Sequence, residues 1–115
     1  MTIQSHVISL TSNGAGAATG SVRVSGKLIQ MIIIPGLTTS QPTDQFDIAV
    51  TDDYSTAIFT DTGVGNAANE VFFPWITTSG TKTDSPYCVV GNLNVVAAGM
   101  GDIKTAKIVF FVEGN

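Results

Sequence analysis

The sequence predicts an all-β chain, a single-domain antiparallel β-sandwich or jelly-roll-like barrel of about eight strands over residues 1–115. Three observations carry this. Turn-forming residues break the chain at short, fairly regular intervals, with β-branched and aromatic residues between the breaks. The segment "QFDIAVTD" alternates strictly, with Phe46, Ile48 and Val50 on one face and Asp47, Ala49 and Thr51 on the other. No window carries the 3.6-residue apolar repeat of a helix. A chain of 115 residues suffices for one hydrophobic core and leaves no room for a second domain.

The elements follow in order. "HVISLT", "SNGAG" and "AATGSVRVSG" read as a hairpin, because Asn13 and Gly14 both accept the positive φ of a type I′ turn. After Gly26 a strand runs to Pro35 and Gly36, where proline cannot donate to a ladder. The polar loop "LTTSQPTD" leads to the alternating strand at Phe46. "DDYS" is a turn into "TAIFTDTG", and "VGNAAN" is a loop into "EVFFPWITTSG", which Pro74 marks as an edge strand or a bulge. Strands around Tyr87 to Val90, Leu93 to Ala97 and Thr105 to Glu113 close the chain. "AAGMGD" is read as the turn of a final hairpin.

The stretch "GKLIQMIIIPG" raises the question of covering. Strict alternation places Leu28, Gln30, Ile32 and Ile34 on one face and Lys27, Ile29, Met31 and Ile33 on the other, so both faces are apolar. The last strand behaves alike, with Ile108, Phe110 and Val112 opposite Val109 and Phe111. Leaving large aliphatic side chains exposed forgoes about 1.5 to 3 kcal/mol each. Either a loop of the same chain covers the second face, or Ile29, Met31, Ile33, Val109 and Phe111 form a subunit interface. The polar start Thr2, Ile3, Gln4 and Ser5 is a candidate contact of a second kind, since a terminal strand can extend a neighbour's sheet.

The chain offers little chemistry. His6 is the single histidine, so Ser-His-Asp, Cys-His and multi-histidine metal arrangements all depend on one residue that reads as an ordinary strand position. Cys88 in "YCVV" reads as a buried apolar thiol and excludes an internal disulfide. Asp44, Asp47, Asp52, Asp53 and Asp61 lack calcium-loop spacing and read as turn formers. "GAGAATG" opens no helix and is no phosphate loop. No catalytic residue, metal or cofactor is therefore expected, and the reading is against an enzyme. Phe72, Phe73 and Trp75 lie close together and either fill core or present a platform for a sugar ring or a protein.

Charged residues are only 12% of the chain, against about 25% in a typical soluble domain. A surface so poorly charged has little repulsion to keep protein neighbours away, which suits a component of an assembly. Five basic residues and a net charge of -4 argue against nucleic acid. The start "MTIQSHVISL" has neither the basic nor the apolar region of a signal peptide, and no run is long enough for a membrane span.

In layout, "HVISLTSNGAGAATGSVRVSGKLIQMIIIPG", "FDIAVTDDYSTAIFTDTG" and "NLNVVAAGMGDIKTAKIVFFVE" resemble a group of small tailed-bacteriophage virion structural proteins. The shared features are a polar hairpin, a strand ending in Pro-Gly, a "D-I-x-V-T-D" strand, an aromatic-Pro segment and a terminal "V-x-x-A-G" element. The resemblance implies a capsid decoration or cement protein, made in the host cytoplasm and placed on the capsid surface. It implies the major capsid protein as partner and a homotrimer as the oligomer. In the proteins it resembles, a basic residue often follows the proline, where this chain has Trp75. The residues leave open a carbohydrate-binding or host-adhesion β-sandwich using Phe73 and Trp75, and within the resemblance a neck or tail component is the alternative to the capsid.

Overall fold

The computed structural model describes residues 2–73, 75–77 and 84–114, with 75–77 and 84–86 as backbone. Among the described residues eight strands are formed: β1 (Thr2–Thr11), β2 (Ala18–Pro35), β3 (Phe46–Thr51), β4 (Ala57–Val64), β5 (Glu70–Phe72), β6 (Trp75–Thr77), β7 (Asp84–Ala98) and β8 (Thr105–Gly114). Among the described residues the only helical turn is a 3-10 turn at Thr38–Ser40. The all-β expectation is met.

All pairings among the described strands are antiparallel. The strand order is β1-β8-β2-β7-β3-β4, with β5 added to β2 and β6 to the start of β7. β2 is shared by both halves of the molecule: residues 18–28 pair with β7, whereas residues 27–35 pair with β8. One half is therefore β1-β8-β2-β5 and the other β2-β7-β3-β4. The chain bends between them at Gly26, whose φ of 143° suits glycine and whose missing Cβ would collide with the Glu113 carbonyl. Ile8, Leu10, Met31, Ile33, Ile108 and Phe110 from one half and Val24, Ile48, Val50, Leu93 and Val95 from the other belong to a single buried cluster. Each such side chain contributes about 1.5 to 3 kcal/mol on leaving water.

The sequence reading divides the chain differently at four places. The two segments either side of Gly26 form one continuous strand of 18 residues, because a glycine at a corner bends a strand without ending it. Tyr87–Val90 and Leu93–Ala97 likewise belong to one strand, β7, continuous through Gly91. The expected first hairpin does not form: β1 pairs with β8 throughout, from Thr2 with Gly114 to Thr11 with Thr105. The left-handed residue of the connection is Gly16 (φ 81°), while Asn13 uses its Oδ1 to accept from the N–H groups of Ala15 (2.9 Å) and Ala17 (3.1 Å). That opens a loop which crosses to the other half rather than doubling back. The final hairpin is also absent, since β7 pairs with β2 and β3 while β8 pairs with β1 and β2.

These two crossing loops are tied together. The buried Ser12 hydroxyl donates to the Gly101 carbonyl (2.6 Å) and accepts from the Lys104 N–H (2.7 Å), and the Met100 N–H donates to Gly16 O (3.0 Å). The reading of Pro74 as an edge or bulge marker lies outside the described residues.

Candidate functional site

The two outer faces of the sandwich differ in chemistry. On the half formed by β1-β8-β2-β5, register aligns Val7, Val109, Ile32 and Val71 in one row across four strands. Val7 and Val71 are 53% and 51% exposed, and Val109 and Ile32 are half-buried. Phe111 and Gln30 stand beside Ser5 in the next row. Lys107 and Glu113 mark opposite ends of β8 on this face.

Of the residues expected at an interface, Val109 and Phe111 stand on this face. Thr2, Ile3, Gln4 and Ser5 are exposed on β1, the terminal strand of the sheet. Ile29 is half-buried at a bulge, Phe73 is exposed just after β5, and Trp75 lies in β6 with its side chain outside the described residues. Met31 and Ile33 are corrected: both are fully buried in the core. The cause is the bulge between Leu28 and Gln30, which inserts Ile29 and reverses the phase of the strand, so Leu28, Met31 and Ile33 all point inward. Ile32 consequently faces outward. Ile32 escapes sequence reasoning because strict alternation ignores the bulge, and Val7 and Val71 because which strands pair beside β8 and β2 is a long-range property without a local signal. Gln30, the one polar side chain in that run, was the available signal for the outer face.

The outer face of the other half is polar at its centre, between the exposed Val90 and Val96 of β7. Register sets Ser21 beside Asn94 and Thr51, and Arg23 beside Asn92. β3 stops pairing with β7 at Thr51, opposite Asn94, so the next outward N–H of β7, that of Asn92, has no strand to donate to. Asp53 fills that place. Its Oδ2 accepts from the Asn92 N–H (3.0 Å) and lies 3.5 Å from Asn92 Nδ2, and its Oδ1 accepts from Asn94 Nδ2 (3.4 Å). The Asn92 N–H first, then the Asn94 amide, and lastly the Arg23 charge hold the Asp53 carboxyl below the usual carboxylate range.

The loop carrying Asp53 is itself fixed. Asp52 Oδ1 accepts from the N–H groups of Tyr54 (2.9 Å) and Thr56 (2.8 Å), an Asx-type turn, and Ser55 takes a positive φ. Tyr54 is 86% exposed at the tip. Sequence reasoning treated this segment as a turn only. The pairing of Asp53 with Asn92 and Asn94 joins residues about forty positions apart and leaves no local signature.

The remaining candidates are placed as follows. Phe72 is half-buried and packs on Phe59 with ring centroids 4.7 Å apart, so it serves the core. His6 is half-buried in β1 opposite Phe110. Cys88 is exposed, not buried as expected, because Tyr87 and Val89 take the inward positions of β7. It lines a cleft of about 560 Å³ at the β2 corner with Lys27, Val90 and Glu113. Among the described residues no three His, Cys, Asp or Glu side chains converge as metal ligands.

No protein-family model and no curated protein matches the chain. Solved structures match its fold. Chitosan-binding module 1 of a chitosanase/glucanase from Paenibacillus sp. IK-5 superposes with a TM-score of 0.54 at 12% identity, covering 90% of this chain and 74% of the module. The lectin domain of lectinolysin, complexed with Lewis b antigen, gives 0.50 at 10% identity, covering 93% and 72%. The Drosophila NLP core, whose structure bears on pentamer formation and histone binding, gives 0.50 at 12% identity, covering 96% and 99%. At these identities the likeness is one of fold, a β-sandwich architecture shared with carbohydrate-binding modules among others.

Proposed function

We propose that the chain is a non-catalytic carbohydrate-binding β-sandwich module, and that its polar face is the binding face. The observation that carries this is the fixed Asp53 carboxylate, held by Asn92 and Asn94 of β7 and followed directly by the exposed ring of Tyr54. Sugars are recognised by planar amide and carboxylate groups that bond to paired hydroxyls, together with an aromatic face that stacks on the ring. A carboxylate has about four acceptor sites, so Asp53 keeps capacity after accepting from β7. Arg23, Ser21 and Thr51 add further polar groups on the same face. The sugar-binding modules of similar fold support the reading at the level of architecture. A glycan array followed by calorimetry tests it. Neutral oligosaccharide binding that falls at least about tenfold in Tyr54→Ala and in Asp53→Ala, with folding retained, is the expected result. An array without binders refutes it.

A second reading uses a different part of the molecule. β1 ends the sheet and presents the exposed residues Thr2 to Ser5 with one backbone edge unpaired by any other strand among the described residues. Such an edge can add to a neighbour's sheet. Taken with the sequence resemblance to small phage virion proteins, this edge is where a capsid decoration protein would seat on the major capsid protein. Deleting residues 2–5 should then lower occupancy on assembled heads without loss of fold, and undiminished occupancy would exclude attachment through this strand.

A further inference from the structure

We propose that the apolar face of β1-β8-β2-β5 is the interface of a two-fold dimer in which β8 packs antiparallel across the β8 of a second copy of the chain. The proposal does not depend on what the polar face or the β1 edge binds.

The face has the composition of a contact surface. Its central row, Val7, Val109, Ile32 and Val71, runs unbroken across four strands, and Phe111 and Ile34 flank it. On the opposite face Val90 and Val96 are also exposed, but Asn92 and Asn94 lie between them along β7, with Ser21, Arg23 and Thr51 alongside, so no continuous apolar row forms there. Contiguous apolar surface on one side of a chain this poor in charge favours association through that side.

The pattern of charge selects the partner and its orientation. Along the outer face of β8 the order is Lys107, Val109, Phe111, Glu113. Two identical faces can meet only about an axis lying in the interface. If that axis runs along the strands, Lys107 meets the partner's Lys107 and Glu113 meets the partner's Glu113. If it runs across them, Lys107 meets the partner's Glu113 at both ends, and Val109 packs on the partner's Phe111. Like charges placed directly opposite are unfavourable, so the second arrangement is selected. Aligned sheet packing at about −30° and about 10 Å accommodates it. Lys27 is the register partner of Glu113 on the neighbouring strand.

Sedimentation equilibrium of the full chain at micromolar concentration reads the outcome, with circular dichroism checking the fold of each variant. A dimer is expected. Val109→Asp should abolish it, and Val7→Asp, at a position more than half exposed, should weaken it at least about tenfold without unfolding risk. Lys107→Glu and Glu113→Lys should each weaken the dimer at low salt, and the double variant should restore it. Restoration is specific to the antiparallel arrangement, because in the parallel one a single reversal leaves like charge facing like. A monomer at all concentrations, a trimer, a dimer indifferent to Val7→Asp and Val109→Asp, or a double variant no better than the singles overturns the proposal.

Discussion

Asp53 and Gly91 occupy complementary space: a Cβ on residue 91 would lie 2.6 Å from Asp53 Oδ2. Gly91 also has φ 127°, a conformation open to glycine and strained for other residues. The absence of a side chain there lets the β3–β4 loop lay its carboxylate against the edge of β7. Gly91→Ala should therefore destabilise the fold by about 1 to 3 kcal/mol in urea unfolding. In an Asp53→Ala background the steric part disappears and only the backbone strain stays, so the two losses should sum to more than the double variant shows.

The same contacts make Asp53 a pH probe. Its folded carboxyl is held below the ordinary aspartate value of 3.8, so the folded chain binds that proton less tightly than the unfolded chain. The resulting stabilisation is complete above the unfolded value and disappears as pH falls through the lower folded value. Carboxyl NMR titration should place the Asp53 midpoint below 3.8. Asn94→Ala should raise the midpoint more than Arg23→Gln does, because the amide bond outweighs the more weakly felt guanidinium charge. An equal or reversed order would show that charge, not hydrogen bonding, sets the value.

The bulge in β2 makes a stability test. Ile33→Ala empties a fully buried site and should cost about 2 to 5 kcal/mol, as should Met31→Ala. Ile32→Ala, half-exposed on the outer face, should cost markedly less in the monomer. Strict alternation along the strand demands that Ile32 be the costly one, so chemical denaturation of the three variants decides between the two phases.

That strand also shows how far the sequence is legible. Period-two patterning at Phe46, Ile48 and Val50 identifies β3 and its inward face correctly, because side-chain alternation is a local property. The all-β class follows for the same reason. Which strands pair is a long-range property: Asn13-Gly14 has the chemistry of a hairpin turn, yet Ile8 and Leu10 gain more by lining the core with Ile108 and Ala106 than by pairing back on β2. A bulge adds one residue and reverses every later assignment, which is why Met31 and Ile33 were expected outside. The site around Asp53 was hidden because its partners are brought together only by β3 ending before β7 does.

Cys88 offers a simple check of the β7 face assignment. Its side chain points away from the core, so the native protein should react stoichiometrically with a thiol reagent without denaturant. Cys88→Ser should change stability by no more than about 0.5 kcal/mol, the range of an exposed substitution. Protection of the thiol until unfolding would return it to the core and reverse the inward and outward positions around it.

Gly20 and Ile8 test the crossing of the first connection. They belong to different halves of the sandwich, and a Cβ on residue 20 would lie 2.5 Å from Ile8 Cγ2 and 3.3 Å from Leu10 Cδ2. Gly20→Ala should therefore overpack the core and cost about 1 to 3 kcal/mol. Ile8→Ala alone should leave a cavity and cost about 2 to 5 kcal/mol. The new methyl of the first variant enters the space vacated by the second, so the double variant should be more stable than the sum of the two losses implies, with a coupling of about 0.5 to 3 kcal/mol. A hairpin pairing β1 with β2 side by side would bring these residues together as strand neighbours without such a clash, and Gly20→Ala would then be neutral or stabilising. Additive losses in the double-variant cycle would remove the contact, and with it the evidence that β1 faces β2 across the core.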